Sequence, residues 1–207
     1  MIPASPTDFD NWSPLTPQQV GALFQAFSGP WWMAGGWAID LFIGRQTRPH
    51  EDIDIAVLRR DQHAVHDALP GWLLYAVDPP GTLRPWRRTE TLPLAVNNIW
   101  CRPWPGEPWG LQVLLEDTNG DRWSYRRDAR ITRPVASLGE ERDGIPAISP
   151  KVQLLYKSKG LRPRDEHDFA HALPLLDQAQ RDWLAGALAI TQAGHRWLPL
   201  LREDHHP

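Results

Sequence analysis

The stretch GGWAIDLFIGRQTRPHEDIDIAV, residues 35–57, decides how the rest of the chain is read. Upstream, Trp31 to Ala34 form a short apolar run that stops at Gly35-Gly36, and Trp37 to Phe42 follow with helical character. The order is therefore strand, glycine turn, short helix. Gly44 closes that helix, and a basic loop with Arg45, Arg48 and His50 leads to Asp52. From Asp52 to Val57 acids alternate with β-branched residues, the period-two signature of a strand. Residues two apart share a face, so Asp52 and Asp54 project side by side while Ile53, Ile55 and Val57 face the core. Two adjacent carboxylates call for compensation, which a hard divalent cation such as Mg²⁺ supplies through oxygen ligands. A glycine pair lets backbone approach a ligand closely and offers free N–H groups to phosphate oxygens. Either element alone has a bland explanation, a solvated strand edge or a tight turn. Together they point to phosphate-transfer chemistry.

Outward from this stretch, Thr16-Pro17-Gln18-Gln19 has the form of a capping box with proline at the first helical position. Val20, Leu23, Phe24 and Phe27 continue it as an amphipathic helix, and Gly29-Pro30 stops it. Residues 60–69 predict a helix and Trp72 to Val77 a strand, after which Pro79-Pro80-Gly81 breaks the chain. Strand-like runs at 94–102, 110–116 and 122–127 predict an antiparallel extension of the first sheet. From Ser149-Pro150 onward the pattern is helical, over 150–159, 164–173 and 178–192, with Asp204 to Pro207 expected as a frayed end. The fold class this implies is α+β, a mixed β-sheet core flanked by helices. Residues 1–148 form the core and 149–207 a helical segment packed on it.

Composition narrows the partners. A net charge of −3 and a pI near 6.2 lack the basic excess of a dedicated nucleic-acid binder. The single cysteine, Cys101, excludes an intrachain disulfide, so a reducing cytoplasm is expected. No apolar run approaches a membrane span, and no membrane partner is expected. The 12 tryptophans are expected chiefly as packing units with their N–H groups satisfied.

The whole of 35–57 resembles the signature of the nucleotidyltransferase superfamily, in its aminoglycoside 2″-adenylyltransferase and lincosamide nucleotidyltransferase branch. The resemblance implies a nucleotidyltransferase-like core that moves a nucleoside monophosphate, AMP from ATP, to an acceptor hydroxyl with release of pyrophosphate. It implies that Gly35 and Gly36 lie against the nucleotide phosphates and that Asp52 and Asp54 bind Mg²⁺. Arg45, Arg48 and His50 would line the site. Relatives carry a third carboxylate on a later strand, as metal ligand or base. On Leu111 to Asp117, residues Gln112, Leu114 and Glu116 share a face, which makes Glu116 the candidate catalytic and metal-binding acid. Counting back from Asn119-Gly120 instead puts neutral Gln112 at that position, and both alignments stay open. The string from Lys151 to Lys157, with Arg162, Asp165 and Asp168 after it, resembles the helices that follow the core in these families. Lys157 would then meet the phosphates, while Asp165 and Asp168 would cap or brace their helix.

The acceptor expected is a small molecule, such as an aminoglycoside-like antibiotic. Against a polycationic drug stands the scatter of acids at Glu90, Glu107, Asp117 and Asp121. Transfer to protein or tRNA, or a catalytically silent nucleotide-binding module, are the alternatives. His167 and His171 lack the glutamate of a zinc-protease motif. Arg87-Arg88 and Arg126-Arg127 read as surface charge beside Glu90 and Asp128.

Overall fold

The computed structural model describes residues 6–203, so the end expected at Asp204–Pro207 lies outside the described residues. Helix α1 (Pro17–Leu23) opens with the expected capping box: Thr16 accepts from the Gln19 N–H, and the Gln19 side chain accepts from the Thr16 N–H. Strand β1 (Trp31–Met33) leads to helix α2 (Gly35–Ile43) and then to β2 (Asp54–Leu58). A 3₁₀ turn over Arg59–Ala64 and the short α3 (Val65–Ala68) occupy the expected helix. The middle of the chain supplies β3 (Leu73–Val77), β4 (Leu83–Pro85), β5 (Asn98–Arg102), β6 (Leu111–Asn119) and β7 (Arg122–Ser124). Four strands were not anticipated from sequence: β4, β8 (Thr132–Pro134), β9 (Gly139–Arg142) and β10 (Ile145–Ile148). Helices α4 (Pro150–Lys157), α5 (Pro163–Ala172), α6 (Gln178–Thr191) and α7 (Trp197–Arg202) complete the fold. No described helix is long and apolar enough to cross a membrane.

The strands form one mixed sheet in the order β4-β3-β5-β6-β2-β1-β10-β9, with β7 and β8 continuing from β6. The expected antiparallel extension holds where β5 and β7 pair with β6, but not where β6 joins the first strands. β6 lies beside β2 and parallel to it, while β5 and β3 run antiparallel beyond. The central strand β2 is covered on both sides, as a near-continuous apolar strand requires. Ile53, Ile55 and Val57 pack with Val20, Phe24 and Val113 on one side, where α1 and α3 lie. Ala56 and Leu58 pack on the other with Val152, Leu155, Phe169 and Leu188 of the C-terminal helices. Residues after 149 thus share a core with the sheet.

The expectation that packed tryptophans have satisfied N–H groups holds for several of them and fails at Trp37 and Trp100, whose buried Nε1 atoms have no partner among the described residues. Trp109, Trp123 and Trp197 are fully buried, and their indole N–H groups reach the Asp8 carbonyl, Glu116 and Glu166. Trp104 is 63% exposed and packs little.

Candidate active site

Two elements bring the glycines to the aspartates. α2 starts at Gly35 itself, two residues earlier than the sequence suggested, and Gly35 takes φ +65°, a conformation only glycine adopts without strain. A side chain there would also overlap Asp54 Oδ2. Gly36 is equally hemmed in, since a Cβ would meet the Arg48 guanidinium and the His50 ring. The glycine turn is therefore the floor on which Asp54, Arg48 and His50 rest. The Gly35 N–H is held by Gln153 Oε1 of α4 at 3.0 Å, a role the sequence did not disclose.

Strand β2 begins at Asp54, so Asp52 stands just before it, yet both carboxylates face one cavity of about 290 Å³. Burial, followed by the charge of Asp52, raises the Asp54 pKa to about 7. Its Oδ1 is closed off from solvent and has no hydrogen-bond partner among the described residues. A buried anionic oxygen left unpaired is costly, and a cation would relieve it.

Glu116 does not join the pair. The parallel register sets Asp54 opposite Gln112 and Leu58 opposite Glu116. Four residues at about 3.3 Å each separate the two levels by ~13 Å, beyond the span of two carboxylates sharing one ion. Among the described residues no three His, Cys, Asp or Glu side chains gather as a metal cluster. Gln112, Leu114 and Glu116 do share the cavity face, as the alternation suggested. Of the two alignments left open by the sequence, the one that places Gln112 beside the aspartates matches the register. The Glu116 Oε2 instead accepts from the Trp123 indole and the Tyr156 hydroxyl, each at 2.6 Å.

The cavity is rich in cations. Arg48, Arg126, Arg127, Lys157, Arg162 and Arg164 line it, against the acids Asp52, Asp54 and Glu116. Asp168 of α5, with a fully buried side chain, holds two of them. It accepts from Arg48 Nε at 2.7 Å and Nη2 at 2.9 Å, and from Lys157 Nζ at 2.7 Å. Asp165 accepts from the Arg162 backbone N–H at 3.3 Å and from its Nε at 2.7 Å, and lies 3.6 Å from Lys157. Asp165 thus caps its helix as expected, but Asp168 works across elements and ties α5 to α4 and to the loop before β2. Arg126 and Arg127 are exposed, as read from sequence, and also line the cavity wall. Arg127 donates to the Tyr156 carbonyl at 2.7 Å and lies over that ring.

Two expected residues stand elsewhere. Arg45 follows the far end of α2 and is exposed. His50 places Nε2 at 2.5 Å from Asp40 Oδ2 and its ring 4.4 Å from Trp37. Buried Asp40 also accepts from Thr47, so it organises the whole loop from within α2. His50 borders a second groove of about 620 Å³ lined by Phe9, Asp10, Trp12, Glu51 and Trp100. Asp52, Gln112 and Arg164 line both spaces. Glu90 and Asp117, by contrast, pair with Arg84 and Arg59 and line neither.

A helix opened by glycines against an aspartate pair at the start of a strand, walled by cations and laid on a mixed sheet, defines a nucleotidyltransferase-type fold and site. The chain belongs to the aminoglycoside-2″-adenylyltransferase family, whose model matches residues 18–172. Curated 2″-aminoglycoside nucleotidyltransferases of Escherichia coli and Klebsiella pneumoniae are 40% identical over 52 residues, 24% of this chain. That match spans 29% of the relatives' own length. Among solved structures, the lincomycin-bound lincosamide antibiotic adenylyltransferase LnuA aligns with a TM-score of 0.53 at 20% identity, over 77% of this chain and 97% of that one. ANT(2″)-Ia in complex with adenylyl-2″-tobramycin aligns at 0.53 and 16% identity, over 84% and 95%. At such identities the likeness is one of fold.

Proposed function

We propose that the chain transfers a nucleoside monophosphate, AMP from ATP, to a hydroxyl of a small acceptor and releases pyrophosphate. The observation that carries this reading is the position of Asp52, which borders both the cationic cavity and the aromatic groove. The cavity suits a triphosphate, whose charge the Arg48, Lys157, Arg162 and Arg164 side chains offset. The groove suits a hydroxylated ring bearing an amine, with Trp12 and Trp100 for its faces and Asp10 and Glu51 for its charge. The two relatives bound to lincomycin and to an adenylylated tobramycin have acceptors of this kind.

The residues present fit a divalent cation, since Mg²⁺ commonly binds through one or two carboxylates completed by water and phosphate. Asp52 and Asp54 would hold it, and when bound it would neutralise charge at the α-phosphate and make the acceptor hydroxyl more acidic. Glu116 has no part in this set. The acceptor oxygen bonds to the α-phosphorus as the bond to pyrophosphate breaks, and Asp52 takes the hydroxyl proton. Lys157 and Arg48, fixed by Asp168, hold the phosphates in line for that displacement.

The test is pyrophosphate release from Mg·ATP across a panel of aminoglycosides and lincosamides. Release with at least one acceptor, lost in Asp54→Asn, is the expected result; turnover unchanged in Asp54→Asn would refute it. Gln112 beside Asp54 favours a second reading, a silent nucleotide-binding module, marked by ATP binding without release across the whole panel.

A further inference from the structure

Glu116 is the one buried acid of the cavity that the transfer chemistry leaves unused. It sits on the Gln112 face of β6, four residues deeper than the aspartate pair. Both of its hydrogen bonds end on Oε2, from Trp123 Nε1 and Tyr156 Oη. Trp123 can only donate, so the carboxylate must accept. Oε1 has no partner among the described residues, and no cation pairs with the group. Burial pushes the Glu116 pKa up, and the Trp123 and Tyr156 hydrogen bonds oppose it. A buried carboxylate with half its accepting capacity unspent, opening on a cavity wall, is built to receive a donor.

The position identifies that donor. Glu116 lies ~13 Å along the sheet from the level of Asp54. That is comparable with the reach of a nucleoside from its α-phosphate to the far edge of its base. Between the two levels the lining turns apolar at Leu114, with Ile148 beside it at the level of Asp54, which suits the face of a base. We propose that Glu116 reads the nucleobase: its free Oε1 accepts from an exocyclic amine, such as N6 of adenine, and rejects a carbonyl in the same place. A carboxylate is acceptor-only, so a base carbonyl would set two acceptors against each other. Trp123 and Tyr156 are then positioning residues that fix the carboxylate's orientation. This inference rests on the cavity's being the nucleotide site.

The experiment compares ATP with ITP, which carries a carbonyl in place of the N6 amine, by titration calorimetry on the full chain with Mg²⁺. ATP is expected to bind more tightly by roughly ten- to a hundredfold, the range of a hydrogen bond to a charged group. In Glu116→Gln the carboxamide can turn to donate, so the ratio falls towards one and ITP binding strengthens. Equal affinity of the native chain for the two nucleotides overturns the assignment and leaves the nucleotide site standing. The same holds if Glu116→Gln weakens both by one factor, the mark of a structural role. Failure of both nucleotides to bind the native chain overturns the nucleotide site and this inference together. The ATP–ITP comparison on the native chain needs no variant to fold.

Discussion

Asp168→Asn is the sharpest perturbation the site offers. Asn keeps the shape of Asp and removes its charge, so no cavity forms. What remains is Arg48 and Lys157, with side chains 16% and 7% exposed, facing a neutral amide in place of their common counter-ion. Breaking a buried ion pair on one side costs about 3–5 kcal/mol, because the surviving charge is desolvated and unpaired. Lys157 retains Asp165 at 3.6 Å, which softens the loss towards the lower end. A destabilisation of ~3 kcal/mol follows, equivalent to a fall in Tm of about 6–12 °C for a chain of this size. Urea unfolding near neutral pH measures the first figure and a thermal melt the second. The pH dependence has a definite sign. Burial raises the Asp168 pKa, but Arg48 and Lys157 outweigh burial and hold it below its ordinary 3.8. Its stabilisation is therefore complete above the unfolded value and is lost as pH falls through the folded one. The gap between native and variant should narrow from about pH 5 downward. A loss of less than about 1 kcal/mol at neutral pH, or a gap that widens in acid, would refute the reasoning.

Two further outcomes follow from the same geometry. Gly35→Ala forces a side chain onto φ +65° and into Asp54 Oδ2, at a cost of ~1–3 kcal/mol for the backbone alone. With Asp54 displaced, kcat/KM for transfer should drop on the order of a hundredfold; a variant with native kinetics would show that Asp54 is not held by that contact. Burial and the Asp52 charge raise Asp54 to about 7, so the metal-free chain binds that proton more tightly folded than unfolded. Its contribution to stability falls as pH rises from 3.8 towards 7, while Mg²⁺, which needs the carboxylate, binds about tenfold better per pH unit below 7 and levels off above. Calorimetry of Mg·ATP binding between about pH 6 and about pH 8 checks this, and a flat profile would contradict it.

What could be read from the chain alone was local. The capping box at Thr16, the left-handed Gly44 that ends α2, and the alternation of Asp52 to Val57 each depend on residues within a few positions of one another. Short-range sterics and side-chain periodicity therefore disclose them. The face shared by Gln112, Leu114 and Glu116 was legible for the same reason. Which of them meets the aspartates was not. That choice depends on how β6 aligns with β2, and side-chain alternation is identical at every second register and in either strand direction. Only the hydrogen-bonded ladder, set by packing on both sides of the sheet, put Gln112 beside Asp54 and sent Glu116 ~13 Å away. Arg126, Arg127 and Asp168 were likewise ordinary charges in sequence. Arg126 and Arg127 came to line the cavity, and Asp168 to hold two of its cations, because α4, α5 and the turn after β7 converge there, and convergence of distant segments has no local signature.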